Sequence, residues 1–67
     1  MNISLNGHLK QVDHNNMTVE LLVQTLELAG KRLAIERNGE IVPRSQFALV
    51  KICEGDKFEI VGAVGGG

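Results

Sequence analysis

Two Asn-Gly dipeptides, Asn6-Gly7 and Asn38-Gly39, stand on either side of one stretch with helical periodicity. Asn-Gly is the preferred pair for a two-residue hairpin turn, because both positions of that turn need positive φ angles. Apolar residues alternate with polar ones beside the first turn, and a strand-like segment precedes the second. The sequence therefore predicts two β-hairpins, with strands at about 2–6, 8–12, 33–37 and 40–42.

Between the hairpins, apolar residues recur at helical spacing, at Val19, Leu22, Val23, Leu26 and Ala29. The sequence predicts one helix from about Thr18, a good N-cap, to Ala29, and we expect Gly30 to end it as the C′ glycine. Leu21 and Leu28 lie on the far side of this helix. Either the following loops cover them, or they form a partly exposed contact surface.

The C-terminal third of the chain predicts one more strand. Pro43 should end the second hairpin, and a turn at 43–46 leads to Phe47. The last strand is predicted at 57–61, with Phe58 and Ile60 facing one side. One helix covering one face of a mixed sheet of four to five strands is an α+β arrangement. We expect a domain at 1–61, followed by a glycine-rich tail at 62–67.

Charge and composition exclude several classes of function. Seven basic and eight acidic residues give a net charge of −1, and they are scattered along the chain. With only two Phe as aromatic residues, neither a basic patch nor a stacking platform points to nucleic acid. No apolar run approaches membrane-spanning length, and the first residues lack the basic and apolar pattern of a signal sequence, so we expect a soluble, unexported protein. One cysteine cannot form an internal disulfide, so we expect a reducing cytoplasm.

The side chains that could carry chemistry form no recognisable constellation. Cys53 lies among apolar residues and is expected to pack inertly in the core. His8 and His14 have no third ligand at metal spacing, so they are expected to be solvated and no metal site is predicted. We find no internal catalyst and expect no bound cofactor.

The tail from Gly62 to Gly67 is the unusual feature. Three glycines in succession resist packing, and six residues can reach at most about 20 Å from the domain. Without Cβ atoms, Gly65, Gly66 and Gly67 could thread a narrow channel and present an uncrowded terminal carboxylate. Alternatively, the tail is merely a flexible end. Glycines alone do not decide between these two readings.

Four segments of the chain resemble a known family, the ubiquitin-like sulfur carriers (ThiS/MoaD-like family), and within it the carriers of thiamine biosynthesis. The segments are Ile3-Ser4-Leu5-Asn6-Gly7, Thr18-Val19-Glu20-Leu21-Leu22, Asn38-Gly39-Glu40-Ile41-Val42-Pro43-Arg44, and Glu54 to Val61 followed by Ala63-Val64-Gly65-Gly66-Gly67. The resemblance covers the whole chain, in order and spacing. It implies the β-grasp, or ubiquitin-like, fold.

The resemblance also implies a cycle of sulfur transfer. A ThiF-like adenylyltransferase would use ATP to adenylate the carboxylate of Gly67, and a persulfide donor would convert the adenylate to a thiocarboxylate. Thiazole synthase would then receive the sulfur. By position, Gly67 carries the reactive group, while Val64, Gly65 and Gly66 contact the partner enzymes. The chain itself would be a carrier and not an enzyme.

Three other functions stay open at this point. The small subunit of molybdopterin synthase is also a β-grasp protein with a Gly-Gly end, although it typically has an aromatic-proline stretch where this chain has Gly62-Ala63-Val64. A ubiquitin-like modifier would pass the activated glycine to a lysine amine. A plain interaction module would make no use of the tail.

Overall fold

The computed structural model describes residues 1–12 and 16–62. Within them lie five strands, one α-helix and one short 3₁₀ helix. The elements are β1 (Asn2–Leu5), β2 (His8–Gln11), α1 (Val19–Thr25), β3 (Leu33–Arg37), β4 (Glu40–Ile41), the 3₁₀ helix (Arg44–Gln46) and β5 (Lys57–Gly62). The predicted α+β class is confirmed, and the arrangement is the β-grasp.

The five described strands form one mixed sheet in the order β2-β1-β5-β3-β4. β1 and β5 run parallel, and the other neighbours pair antiparallel. The last strand of the chain therefore lies in the centre of the sheet. This position explains why Phe58 is 0% and Ile60 only 9% exposed. The alternating residues Lys57 and Glu59 are exposed to solvent. The predicted facing of the last strand is confirmed.

Both hairpin turns have the conformation that their Asn-Gly pairs predict. Asn6 and Gly7 have φ angles of 50° and 82°, and Asn38 and Gly39 have 52° and 88°. Only the strand lengths differ slightly, since β2 ends at 11 and β4 at 41. β5 continues through residue 62, one residue beyond the predicted domain boundary.

The helix is shorter than predicted, and the role expected for Gly30 belongs to Glu27. Thr18 is the N-cap as predicted, but the helix ends at Thr25. Glu27 has a φ of 60°, its N–H donates to the carbonyl of Gln24, and the N–H of the next residue donates to that of Val23. This pair of bonds is the Schellman motif, with a non-glycine residue at C′. Gly30, with a φ of 84°, lies instead in a separate turn, in which the N–H of Lys31 donates to the carbonyl of Leu28.

The core lies between the helix and one face of the sheet. The buried apolar residues are Ile3, Val12, Met17, Val19, Leu22, Val23, Ile35, Val42, Phe47, Ile52, Phe58 and Ile60. As predicted, Pro43 ends the second hairpin and the short 3₁₀ helix carries the chain to Phe47. Leu21, on the far side of the helix, is 41% exposed, so loops do not fully cover it. Leu28 lies beyond the end of the helix and packs half-buried against the core.

Candidate functional site

The predicted site residues Val64, Gly65, Gly66 and Gly67 lie outside the described residues. The structure describes the chain up to Gly62, the last residue of β5. The candidate site is therefore built from the strand that carries the tail and from the surface around its end.

The end of β5 is held on both sides. On one side, the antiparallel ladder with β3 continues to the pair Leu33 and Gly62. On the other side, β1 ends at Leu5, but the side chain of Asn6 continues the pairing. Its Oδ1 accepts from the N–H of Ile60 at 2.7 Å, and its Nδ2 donates to the carbonyl of Ile60 at 3.1 Å. The tail thus starts from a fixed strand.

The beginning of β5 is fixed by a cluster around a buried carboxylate. Asp56 is 6% exposed and accepts from Arg37 Nε at 2.9 Å, from Asn38 Nδ2 at 3.1 Å and from the N–H of Cys53 at 2.8 Å. Asn38 Oδ1 also accepts from the N–H of Lys57 at 2.9 Å. Each asparagine of the two hairpin turns therefore bonds one part of β5.

Charge in this cluster stabilises the ionised forms. Burial opposes ionisation of Asp56, but the hydrogen bonds from Cys53, Arg37 and Asn38 outweigh it and lower the pKa of Asp56 below its ordinary 3.8. The hydrogen bond to Asp56 in turn raises the pKa of Arg37. The cluster is a structural anchor, because every group in it is engaged with a neighbour in the fold.

A groove opens where β5 ends, between the sheet and the loop after the helix. We call it the root groove, and its volume is about 910 Å³. Its walls are Leu5, Asn6, Leu26, Leu28, Gly30, Lys31, Arg32, Leu33, Ile60 and Gly62. Gly62 thus belongs both to the strand that carries the tail and to the wall of this groove.

The other candidate side chains do not assemble into a site. Cys53 was predicted to pack in the core, and this was wrong, since its side chain is exposed. Its backbone N–H bonds Asp56 and its Sγ lies 3.7 Å from an Arg37 nitrogen, so the turn directs the thiol outward. His8 is exposed on β2 as predicted, and His14 lies outside the described residues. Among residues 1–12 and 16–62, no group of His, Cys, Asp and Glu could hold a metal ion.

The groups that bear on the tail were only partly visible in the sequence. The sequence predicts Asn6 only as a turn residue. Its hydrogen bonds to Ile60 depend on β5 lying parallel beside β1, and the order of the strands in the chain does not reveal that pairing. The root groove was not predicted either.

Within the described part of the chain, no helix has the length and apolar character needed to cross a membrane.

A family model described as the ThiS family matches residues 3–67 of the chain. Among curated proteins, the sulfur carrier protein ThiS of Bacillus subtilis is 34% identical over 97% of this chain and 98% of its own length. A thiazole synthase of Paramagnetospirillum magneticum is 43% identical over the whole chain. The chain spans only 20% of that thiazole synthase, so the resemblance there covers a segment of a larger protein.

Solved structures agree with these sequence similarities. The crystal structure of the thiamine biosynthesis protein ThiS from Geobacter metallireducens superposes with a TM-score of 0.86, at 32% identity and with full coverage of both chains. An NMR solution structure of a thiamine biosynthesis protein from the same organism gives a TM-score of 0.83, covering all of this chain and 88% of the other. The fold of this chain is therefore that of the solved ThiS crystal structure.

Proposed function

The chain belongs to the ThiS family, and from this premise we propose that it is a sulfur carrier whose Gly67 carboxylate is converted to a thiocarboxylate for thiazole synthesis in thiamine biosynthesis. The observation that carries the proposal is the match to the Bacillus subtilis carrier over nearly the full length of both proteins. The family match also runs through Gly67.

The proposed chemistry has two stages. A ThiF-like adenylyltransferase lets a Gly67 oxygen attack the α-phosphorus of ATP, which releases pyrophosphate and leaves an acyl-adenylate. A persulfide donor then attacks the carbonyl carbon and AMP departs. A thiol cleaves the resulting acyl disulfide and releases the thiocarboxylate. Activation is needed because a free carboxylate resists attack, whereas a mixed anhydride with phosphate has a good leaving group.

The chain contributes geometry to this cycle. Gly62 is paired with Leu33 at the end of the central strand, so the tail begins at a fixed place. Five residues beyond Gly62 span at most about 17 Å, which is enough to carry Gly67 into a partner's active site. Glycines at 65, 66 and 67 have no Cβ to obstruct a narrow channel or an approaching nucleophile.

Partner enzymes supply the catalysis in this proposal. The adenylyltransferase binds ATP, so the chain needs no cofactor of its own and acts as a co-substrate. Thiazole synthase is the acceptor, and support comes from the thiazole synthase of Paramagnetospirillum magneticum, which contains a segment similar to this whole chain. The exposed thiol of Cys53 and a thiocarboxylate both persist under reducing conditions, so we place the cycle in the cytoplasm.

The experiment is the intact mass of the chain after incubation with ATP, the activating enzyme and a persulfide donor. Exchange of one oxygen for sulfur adds about 16 Da, and we expect this gain only when ATP is present. A chain of unchanged mass would contradict the proposal. Transfer of the chain to lysine amines, without a gain of sulfur, would instead indicate a protein modifier. The relatives described above are named neither as protein modifiers nor as molybdopterin synthase.

A further inference from the structure

The root groove gathers apolar surface that the fold leaves half-covered. Four apolar residues that pack against the core without being fully buried line it: Leu5, Leu26, Leu28 and Leu33. They come from β1, from the helix end, from the following loop and from β3. The Schellman turn at Glu27 brings Leu28 to this place. Concave surfaces lined by apolar side chains are the usual form of a binding pocket.

The rim of the root groove is positively charged although the chain as a whole carries −1. Lys31 and Arg32 are both exposed and line the groove, and among residues 1–12 and 16–62 no carboxylate lines it. Arg44 adds a third cation beside them, because its guanidinium donates to the backbone carbonyl of Lys31 at 2.8 Å. Glu20 lines the adjoining depression with Arg44 but does not line the root groove.

The position of the root groove connects it to the tail. Leu33 and Gly62, the last pair of the β3 and β5 ladder, form part of its wall. A protein that binds the residues directly after Gly62 therefore comes close to this surface. Its complement would be an apolar side chain for the four leucines, flanked by carboxylates for Lys31 and Arg32.

We propose that the root groove docks thiazole synthase, through an apolar side chain of that enzyme flanked by Asp or Glu. The proposal rests on the proposed function, and it adds a second contact besides the tail. Apolar packing in the groove holds the complex, while the cationic rim steers association and fixes orientation. We choose thiazole synthase as the occupant because a relative contains a carrier-like segment within the same polypeptide.

The first test compares two double charge reversals in binding to the cognate thiazole synthase by surface plasmon resonance. Lys31→Glu with Arg32→Glu should weaken binding about tenfold at low salt, and the loss should shrink near 1 M salt, where charges are screened within about 3 Å. Lys51→Glu with Lys57→Glu is the matched control, since both lysines are exposed and neither lines the root groove. It should change affinity less than about twofold. Equal effects of the two pairs would overturn the proposal.

The second test removes apolar surface. Leu28→Ala should weaken binding about fivefold, whereas Leu21→Ala, an exposed leucine outside the root groove, should not. Thermal unfolding confirms that each variant is folded. Equal affinity of Leu28→Ala and the unmodified chain would contradict the apolar contact. If the unmodified chain self-associates and Lys31→Glu with Arg32→Glu abolishes that association, the groove binds a second copy of the chain and the proposal is overturned.

Failure of the docking site and failure of the proposed function give different results. An unmodified chain that never gains sulfur contradicts the sulfur-carrier function. If the chain gains sulfur normally, but neither Lys31→Glu with Arg32→Glu nor Leu28→Ala changes its affinity for thiazole synthase, only the docking site is contradicted. Absence of any binding by a chain that carries the thiocarboxylate also overturns the docking site.

Discussion

The side-chain amide of Asn6 hydrogen-bonds both the N–H and the carbonyl of Ile60, at 2.7 Å and 3.1 Å. It therefore substitutes for a strand residue where β1 has already turned away from β5. Asn38 bonds the start of β5, where its Oδ1 accepts from the N–H of Lys57 and its backbone N–H donates to the carbonyl of Lys57. The central strand that carries the tail is thus held by the two residues that also form the hairpin turns.

Loss of the Asn6 amide should destabilise the fold. Asn6→Gly keeps the positive φ but leaves the Ile60 backbone groups without their partner, which should lower the free energy of unfolding by about 1–3 kcal/mol. Asn6→Ala should lose about 1 kcal/mol more, because alanine resists the left-handed conformation. Urea denaturation measures both. Gln24→Ala, an exposed amide on the helix, should change stability by less than about 0.5 kcal/mol. Equal stability of Asn6→Gly and the unmodified chain would contradict this role.

Asp56 should make stability fall on acidification. Its pKa is lower in the folded chain than its ordinary 3.8, so the folded state favours the carboxylate. The stabilisation is therefore complete well above pH 3.8 and disappears as the pH falls through the folded pKa. Asp56→Asn removes this dependence. The difference in unfolding free energy between the two proteins should be constant near neutral pH and shrink below pH 3.8. A difference that does not shrink below pH 3.8 would contradict this role of Asp56.

Glu27 occupies the C′ position of the helix with a φ of 60°, where glycine is the usual residue. Glu27→Gly should relieve the strain and raise the free energy of unfolding by about 0.5–1 kcal/mol, after allowing for the greater freedom of glycine in the unfolded chain. Glu20→Gly, within the helix, should instead lower it by about 1 kcal/mol. Destabilisation by both changes would show that the turn does not strain Glu27.

The sequence predicted the features that depend on local chemistry. Asn-Gly pairs specify hairpin turns, and alternation gives the buried side of β5. What it missed depends on contacts between distant residues. The helix stops at Thr25 because turning at Glu27 brings Leu28 back onto the core, although the apolar spacing continues to Ala29. The prediction that Cys53 packs in the core was wrong, because it relied on the apolar neighbours of Cys53 in the sequence. Those neighbours do not reveal that the backbone N–H of Cys53 bonds Asp56 in a turn that leaves the side chain exposed.

Cys53 should be dispensable for sulfur transfer, since the proposed acceptor is the carboxylate of Gly67. Cys53→Ser keeps the backbone N–H that bonds Asp56, so the protein should fold and show the same ATP-dependent thiocarboxylate yield. The yield is measured by intact mass beside the unmodified chain. A folded Cys53→Ser protein that no longer acquires sulfur would show that a cysteine persulfide carries it instead.

The tail should separate function from stability. Deleting Gly67 draws the terminal carboxylate back by about 3.5 Å, and a misplacement of about 1 Å can lower a rate about a hundredfold. Gly66→Val should also block activation, because a β-branched residue stiffens and widens the tail. The midpoint of thermal unfolding should move by less than about 2 °C in both variants. Adenylation is followed by pyrophosphate release, and full activity of both variants would remove the tail from the mechanism.

The most direct test of the account is the place of the acquired sulfur, determined by fragmentation mass spectrometry of the chain after reaction with ATP, the activating enzyme and the persulfide donor. We predict that a fragment containing Gly67 gains about 16 Da, from one oxygen exchanged for sulfur, and that fragments containing Cys53 are unchanged. A gain of about 32 Da on a fragment containing Cys53, with an unmodified Gly67, would contradict the account.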